Sequence, residues 1–129
     1  MLEYLARILG FMTLQYFGSP PASDTKVGVI IAGCDRDLHL VVGALESIRY
    51  FMPVIPICLI FDGRSDLSQI EKVYSLSVIR RENTKSNFLR ENSYGYGLTK
   101  MIAFWESPFD DFLYFDSDAC AWGDLMSHD

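Results

Sequence analysis

The sequence predicts an α/β protein in which helices cover both faces of a mostly parallel sheet. Two patterns predict this class. Short apolar segments of strand length alternate with longer segments whose apolar residues recur at helical spacing. The strand-like segments are apolar throughout, as expected for parallel strands that are buried on both faces. With 129 residues, the chain is long enough for one domain with a substantial core.

The N-terminal part of the chain is predicted to be separate from this domain. Residues 1–18 are mostly apolar, but charged residues interrupt them and they fall short of the roughly 20 residues that a membrane-spanning helix needs. We expect an N-terminal apolar helix whose residues 1–17 contact the domain itself, a protein partner or a membrane surface. Residues 19–25 are a linker by composition, and residues 26–129 form the α/β domain.

Within that domain, strands and helices alternate in a Rossmann-like order of three layers, α/β/α. The predicted strands lie at residues 27–32, 54–61, 77–79 and 112–115, with regular pairing of the second beginning after Pro56. The predicted helices lie at residues 38–51, around residues 67–73 and at residues 98–106. Residues 81–96 are polar and glycine-containing, and are expected to form a long loop with one helical turn.

Composition narrows the class of function. The formal net charge is −6 and no basic stripe is present, which argues against a dedicated nucleic-acid-binding protein. The three cysteines are odd in number and form no C-x-x-C, so we expect small reduced core residues in a cytoplasmic protein. Peripheral attachment to a membrane is the alternative location, and a homo-oligomer is compatible with the sequence.

The most informative segment is the last strand and the two carboxylates that follow it. Asp116 and Asp118 emerge at the end of the apolar run 112–115, where open α/β sheets bind ligands. Two like charges on one side of an extended chain repel each other, and a hard divalent cation such as Mg²⁺ or Mn²⁺ removes that cost. The Asp-x-Asp spacing also occurs by chance. In the second instance, Asp35 and Asp37, we expect helix capping.

The other strand ends are predicted to meet these carboxylates at one edge of the sheet, because parallel strands all end there. Ala32 and Gly33 are small and leave room for a flat ring or a sugar. Asp62 can accept hydrogen bonds from a nucleobase or a ribose, and Lys100 can reach a phosphate as a point charge. No glycine-rich dinucleotide or P-loop motif is present.

Several segments follow one another in a set order along the chain. They are an apolar first strand, a strand that ends in Asp-Gly, a Thr-Lys helix, a short break with an apolar strand and Asp-x-Asp, and the residues after that motif. These segments are Val27–Ala32, Ile57–Gly63, Leu98–Met101, Ser107–Asp118 and Trp122–Leu125. Together they resemble the GT-A glycosyltransferases, most closely the glycogenin-like and related nucleotide-diphospho-sugar transferases.

The resemblance implies a sugar-transfer reaction from a nucleoside diphosphate donor, with a UDP-sugar as the expected donor and Mn²⁺ or Mg²⁺ as the cofactor. Asp116 and Asp118 match the metal-binding pair of that family. The implied nucleotide-sugar-binding residues are Ala32, Gly33, Asp62, Lys100, Asp116 and Ser117. The family continues past Asp-x-Asp into an acceptor-binding half, so the resemblance covers the donor-binding half only. It assigns no catalytic residue, and we expect that half to be incomplete for catalysis alone.

Two other classes of function remain open. Haloacid-dehalogenase-type phosphatases also place Asp-x-Asp after an apolar strand, and there Asp116 would attack phosphorus while Asp118 moves the proton. In that class the motif normally opens the fold, whereas here it lies in the last strand. The third class is a non-catalytic module that binds a nucleotide sugar or another protein.

Overall fold

The computed structural model describes residues 16–17, 26–95 and 97–127. Its centre is a sheet of five strands: β1 (Tyr16–Phe17), β2 (Val27–Cys34), β3 (Ile57–Asp62), β4 (Leu76–Ile79) and β5 (Asp111–Asp116). The strand order is β1-β5-β2-β3-β4. Strands β2 to β5 are parallel to their neighbours, and β1 pairs antiparallel with β5. The predicted mostly parallel sheet is therefore confirmed.

Helices cover both faces of this sheet. They are α1 (Leu38–Phe51), α2 (Ser68–Tyr74), α3 (Asn87–Asn92) and α4 (Met101–Glu106), with short 3₁₀ turns at Asp35–Asp37 and Arg81–Asn83. Helices α1 and α2 pack on one face, and α3 and α4 pack on the other, each pair with its own apolar core. The Rossmann-like arrangement of three layers is thus confirmed. None of the helices in the described part of the chain has the length and apolar character to cross a membrane.

The sequence accounts for the central elements. Strands β2, β3 and β5 are almost wholly buried, as their continuous apolar runs predict. Helix α1 has the predicted bounds, and it buries Val41, Ala44, Leu45 and Ile48, which recur at helical spacing. The carbonyl of Pro56 accepts a hydrogen bond from the backbone of Val29, and regular pairing of β3 begins at the next residue, as predicted.

The polar region before the last strand is more helical than predicted. Helix α3 occupies residues predicted as loop, because the Ser86 side chain accepts a hydrogen bond from the Leu89 N–H and caps it. Conversely, the predicted helix 98–106 begins only at Met101. The three residues before it form a tight turn, in which the Met101 N–H donates to the Leu98 carbonyl at 2.9 Å.

At the N-terminus, the predicted helix over residues 1–18 is wrong at residues 16 and 17. These two form β1, with Tyr16 opposite Leu113 and Phe17 opposite Phe112. Pairing with a distant strand overrides the local helical pattern here. The rest of the predicted helix and the predicted linker 19–25 lie outside the described residues.

The three cysteines are unpaired thiols with different surroundings. Cys58 is buried within β3, Cys34 is half-buried at the end of β2, and Cys120 is exposed. The expectation of core residues is confirmed for Cys58. It is wrong for the other two, because both lie at or past the ends of strands, where the helices no longer cover them.

Candidate functional site

The candidate site lies at the edge of the sheet where the strand order reverses, between β2 and β5. The chain builds β2, β3 and β4 outward in one direction, then returns to place β5 on the other side of β2. In the register of these strands, Ala32 lies opposite Asp116 and Cys34 lies opposite Asp62. Open α/β sheets bind ligands at the carboxyl ends of the strands beside such a reversal. Asp116 therefore stands at the position where this topology favours a ligand.

A cleft with a volume of about 610 Å³ lies at this edge of the sheet. All seven residues predicted for the site line it, together with neighbours from the loops after β2 and before α4. The lining residues are Ala32, Gly33, Cys34, Arg36, Asp37, Leu40, Asp62, Gly95, Gly97, Thr99, Lys100, Tyr114, Asp116, Ser117 and Asp118. The structure thus brings the predicted residues together, while their roles stay predictions.

Negative charge predominates in the cleft. Four carboxylates line it, those of Asp37, Asp62, Asp116 and Asp118, against the two cationic side chains of Arg36 and Lys100. Arg36 lies 3.5 Å from Asp37 and offsets that carboxylate. An anionic ligand would meet the remaining negative charge at the end of β5, and a divalent cation there would remove the repulsion.

The residues present fit a cation that shares its coordination with a ligand. In the described part of the chain, no group of three or more His, Cys, Asp and Glu side chains is placed to hold a metal ion. Mg²⁺ is usually held by one or two carboxylates, with substrate phosphates and water completing its shell. Asp116 is half-buried and Asp118 is exposed. This pair therefore suits a cation that arrives with a phosphate ligand, and not a closed site made by protein alone.

Tyr114 is a cleft residue that the sequence argument missed. Burial raises the pKa of the Tyr114 phenol, and the nearby Asp116 carboxylate raises it further. Tyr114 keeps its proton at neutral pH and adds no further negative charge. The alternation of a strand could have found it, because residues two apart point to the same side and Asp116 was already a candidate.

Asp62 makes a contact that could not be read from its neighbours in the sequence. Its Oδ2 accepts a hydrogen bond from the backbone N–H of Gly95 at 2.6 Å. Gly95 and Gly97 have φ angles of +84° and +71°, which favour glycine. Asp62 therefore holds in place the loop before α4, whose Gly95 and Gly97 line the cleft.

Gly33 has a packing role besides the one predicted. A Cβ atom at Gly33 would collide with the buried Val41 side chain of α1. The absence of a side chain at Gly33 thus allows α1 to approach β2, while its predicted contact with a ligand stays a prediction. Ala32 belongs to the apolar core on the opposite face of the sheet, as Tyr114 does, and both line the cleft.

Asp35 and Asp37, which were expected to cap a helix and complement its dipole, make no capping hydrogen bond. Asp37 does occupy the N-cap position of α1, and its carboxylate accepts a hydrogen bond from the Cys34 thiol at 3.4 Å. The Asp35 carboxylate accepts hydrogen bonds from the backbone of Arg64 and from both the backbone and the hydroxyl of Ser65. Asp35 therefore fixes the turn after β3.

Comparison with known proteins does not assign the chain to a family. No family model matches the sequence, and no curated protein matches it. The function of the cleft therefore has to be inferred from its position in the fold, its charges and the motif resemblance.

Proposed function

We propose that this domain binds a nucleoside-diphosphate sugar, with a UDP-sugar as the expected ligand, through a bound Mn²⁺ or Mg²⁺ ion. In this proposal it is the donor-binding part of a glycosyltransferase of the GT-A type. The observation that carries the proposal is the pairing of Ala32 with Asp116 at the strand reversal, with Asp62 and Lys100 lining the same cleft. Asp116 and Asp118 at one strand end support a cation whose remaining positions are filled by phosphate oxygens and water.

Each residue has a proposed part in holding the donor. Asp116 and Asp118 would hold the cation, which would supply positive charge to the diphosphate as a sugar departs from it. Lys100, exposed beside the cleft, would contact the phosphates as a point charge. Ala32 would lie under the nucleoside, and Asp62 would accept a hydrogen bond from it. Ser117 lies between the two metal ligands in the turn after β5.

The test is a calorimetric titration of the chain with UDP, in Mn²⁺ and after removal of metal by a chelator. We expect binding in Mn²⁺ and at least about tenfold weaker binding without it, a difference of about 1.4 kcal/mol or more. Asp118→Ala should bind UDP no more tightly in Mn²⁺ than after removal of the metal. Glu91→Ala is the matched control, because Glu91 is an exposed carboxylate of α3 outside the cleft. Equal affinity with and without metal would overturn the proposal.

A second measurement separates this proposal from the phosphatase alternative. An enzyme that uses Asp116 as a nucleophile forms an aspartyl phosphate, which beryllium fluoride mimics in the presence of Mg²⁺. We expect the chain not to bind beryllium fluoride and to bind UDP. The reverse pattern would favour the phosphatase. Metal-dependent binding of UDP without sugar transfer would fit both the donor-binding part of a transferase and the non-catalytic module.

A further inference from the structure

A second cavity lies away from the cleft, on the outer side of the layer formed by α3 and α4. It has a volume of about 490 Å³, within the range of about 300–1,000 Å³ that is typical of ligand pockets. Its apolar lining comes from Phe88, Leu89, Leu98, Met101 and Trp105. We call it the α3–α4 groove.

The groove exposes large apolar side chains to solvent. Phe88 and Trp105 are each 72% exposed, and Leu98 and Met101 are 47% and 40% exposed. Met101 and Trp105 lie four residues apart on α4, so they present one continuous strip. Single exposed apolar residues are ordinary on a protein surface, but a contiguous group around a concavity marks a docking site.

The register of β1 indicates which part of the molecule lies nearest. Tyr16 pairs with Leu113 and Phe17 with Phe112, in antiparallel sense. Tyr16, the first residue of β1, therefore lies at the end of β1 that points toward the carboxyl end of β5. The residues at the start of α4 lie at that same end, because Lys100 lines the cleft there. The ring of Phe112 also contacts the ring of Phe104 of α4, at 6.5 Å between centroids.

The segment that leaves β1 has the length and the composition to fill the groove. Residues 1–15 would reach about 50 Å if extended and about 22 Å if helical. Most of them are apolar, and Leu2, Leu5, Leu9 and Met12 fall at spacings that place them on one helical face. β1 pairs with β5, whose Phe112 contacts Phe104 of α4. A segment joined to β1 is therefore tethered to the domain that carries the groove, and short tethers give effective concentrations in the millimolar range, far above that of a free partner.

We propose that residues 1–15 dock in the α3–α4 groove of their own chain, with their apolar side chains against Met101 and Trp105. This inference is independent of the donor-binding function proposed for the cleft. It commits to one occupant, and a second copy of the chain and a lipid surface are the competing occupants that the experiment separates.

Trp105 is a built-in reporter for this contact, since the sequence has only two tryptophans. In the full chain with Trp122→Phe, acrylamide quenching of the fluorescence reports on Trp105 alone. We expect Trp105 to be protected, and the further change Leu5→Ser/Leu9→Ser to raise its quenching constant several-fold. A Trp105→Phe chain is the reference, because its fluorescence comes from Trp122, which is 78% exposed. In that chain the same serine substitutions should leave the quenching constant unchanged. Val73→Ser, an exposed position on α2, is the control substitution and should leave Trp105 protected.

Three outcomes would overturn the proposal. The first is equal quenching of Trp105 with and without the serine substitutions. The second is protection that appears only as protein concentration rises, together with dimers in sedimentation, which would make a second copy the occupant. The third is protection that requires phosphatidylserine-containing vesicles, which would make a membrane the occupant. Leu9→Ser alone gives a milder variant, and unchanged circular dichroism verifies that both variants are folded.

Discussion

A single carboxylate, that of Asp35, holds the turn after β3 against the end of β2. It accepts hydrogen bonds from the backbone of Arg64 and Ser65 and from the Ser65 hydroxyl. Arg80 closes the same turn by donating to the carbonyls of Gly63 and Ser65. A Cβ at Gly63 would collide with this carboxylate, so glycine is required where the turn passes Asp35. The turn directly follows Asp62, and its placement therefore fixes one wall of the cleft.

Asp35 also makes stability depend on pH. The hydrogen bond from the Ser65 side chain, followed by those from the Arg64 and Ser65 backbone, lowers the pKa of the Asp35 carboxyl. A carboxyl with a lowered folded-state pKa stabilises the fold above its unfolded pKa of about 4, and this contribution is lost as pH falls through the folded value. We expect Asp35→Asn to lower the melting temperature at neutral pH, with a gap that narrows in acid.

Thermal unfolding of Asp35→Asn and the parent chain, from neutral pH to about pH 3, measures this gap. Glu91→Gln controls for loss of a surface charge. Ser65→Ala removes only one of the hydrogen-bond donors and should give a smaller effect of the same sign. A gap that widens as the pH falls would contradict the role assigned to Asp35.

At the level of elements, Arg49 links the end of α1 to the end of α2 and to the loop that leads into β3. It lies near the C-terminus of α1, and its guanidinium donates hydrogen bonds to the carbonyl of Tyr74 at 2.8 Å and to that of Ile55 at 2.5 Å. It also reaches the carbonyl of Met52 at 3.3 Å. These carbonyls belong to the end of α2 and to the loop that leads into β3. Partial burial lowers the pKa of Arg49, but an arginine stays charged at neutral pH.

Removal of this guanidinium should loosen the whole layer of α1 and α2. We expect Arg49→Met to lower the free energy of unfolding by about 2–4 kcal/mol, because several partly buried carbonyls lose a charged donor. The stability of Arg49→Lys should lie between those of the parent and Arg49→Met, since an ammonium cannot reproduce the planar fork of hydrogen-bond donors. Urea unfolding measures the free energy of unfolding of both variants. Arg36→Met is the control, because the Arg36 side chain is 88% exposed and its ion pair contributes little. A loss below 1 kcal/mol in Arg49→Met would show that the carbonyls find water instead.

Across the whole molecule, the sequence alone predicts the elements whose burial follows a local pattern of apolar residues. The four parallel strands, α1 and the meeting of Ala32, Asp62, Asp116 and Lys100 at one edge could be predicted. Apolar runs identify buried strands, and parallel strands place their ends together.

What could not be predicted depends on partners that are distant in the sequence. The Asp35 carboxylate binds a turn about 30 residues away. Asp62 holds Gly95, and β1 forms because Leu113 and Phe112 offer a strand edge. None of these pairs leaves a periodic signal in the sequence. The packing role of Gly33 could not be predicted for the same reason, since Val41 comes close to it only when α1 packs on β2.

The cleft takes its walls from the ends of β2, β3 and β5 and from the loop before α4, so a ligand there should stabilise the domain as a whole. A ligand at 100 times its dissociation constant adds about 2.7 kcal/mol to the stability of the folded state, which for a domain of this size raises the melting temperature by roughly 10 °C. We expect this rise with Mn²⁺ and UDP together, and little change with either alone, because the carboxylate pair repels the diphosphate and completes no metal site by itself. Asp118→Ala should unfold at the parent's temperature without ligand, since Asp118 is exposed, and should lose the rise. A full rise with UDP in the presence of a chelator would place the nucleotide elsewhere than against Asp116 and Asp118.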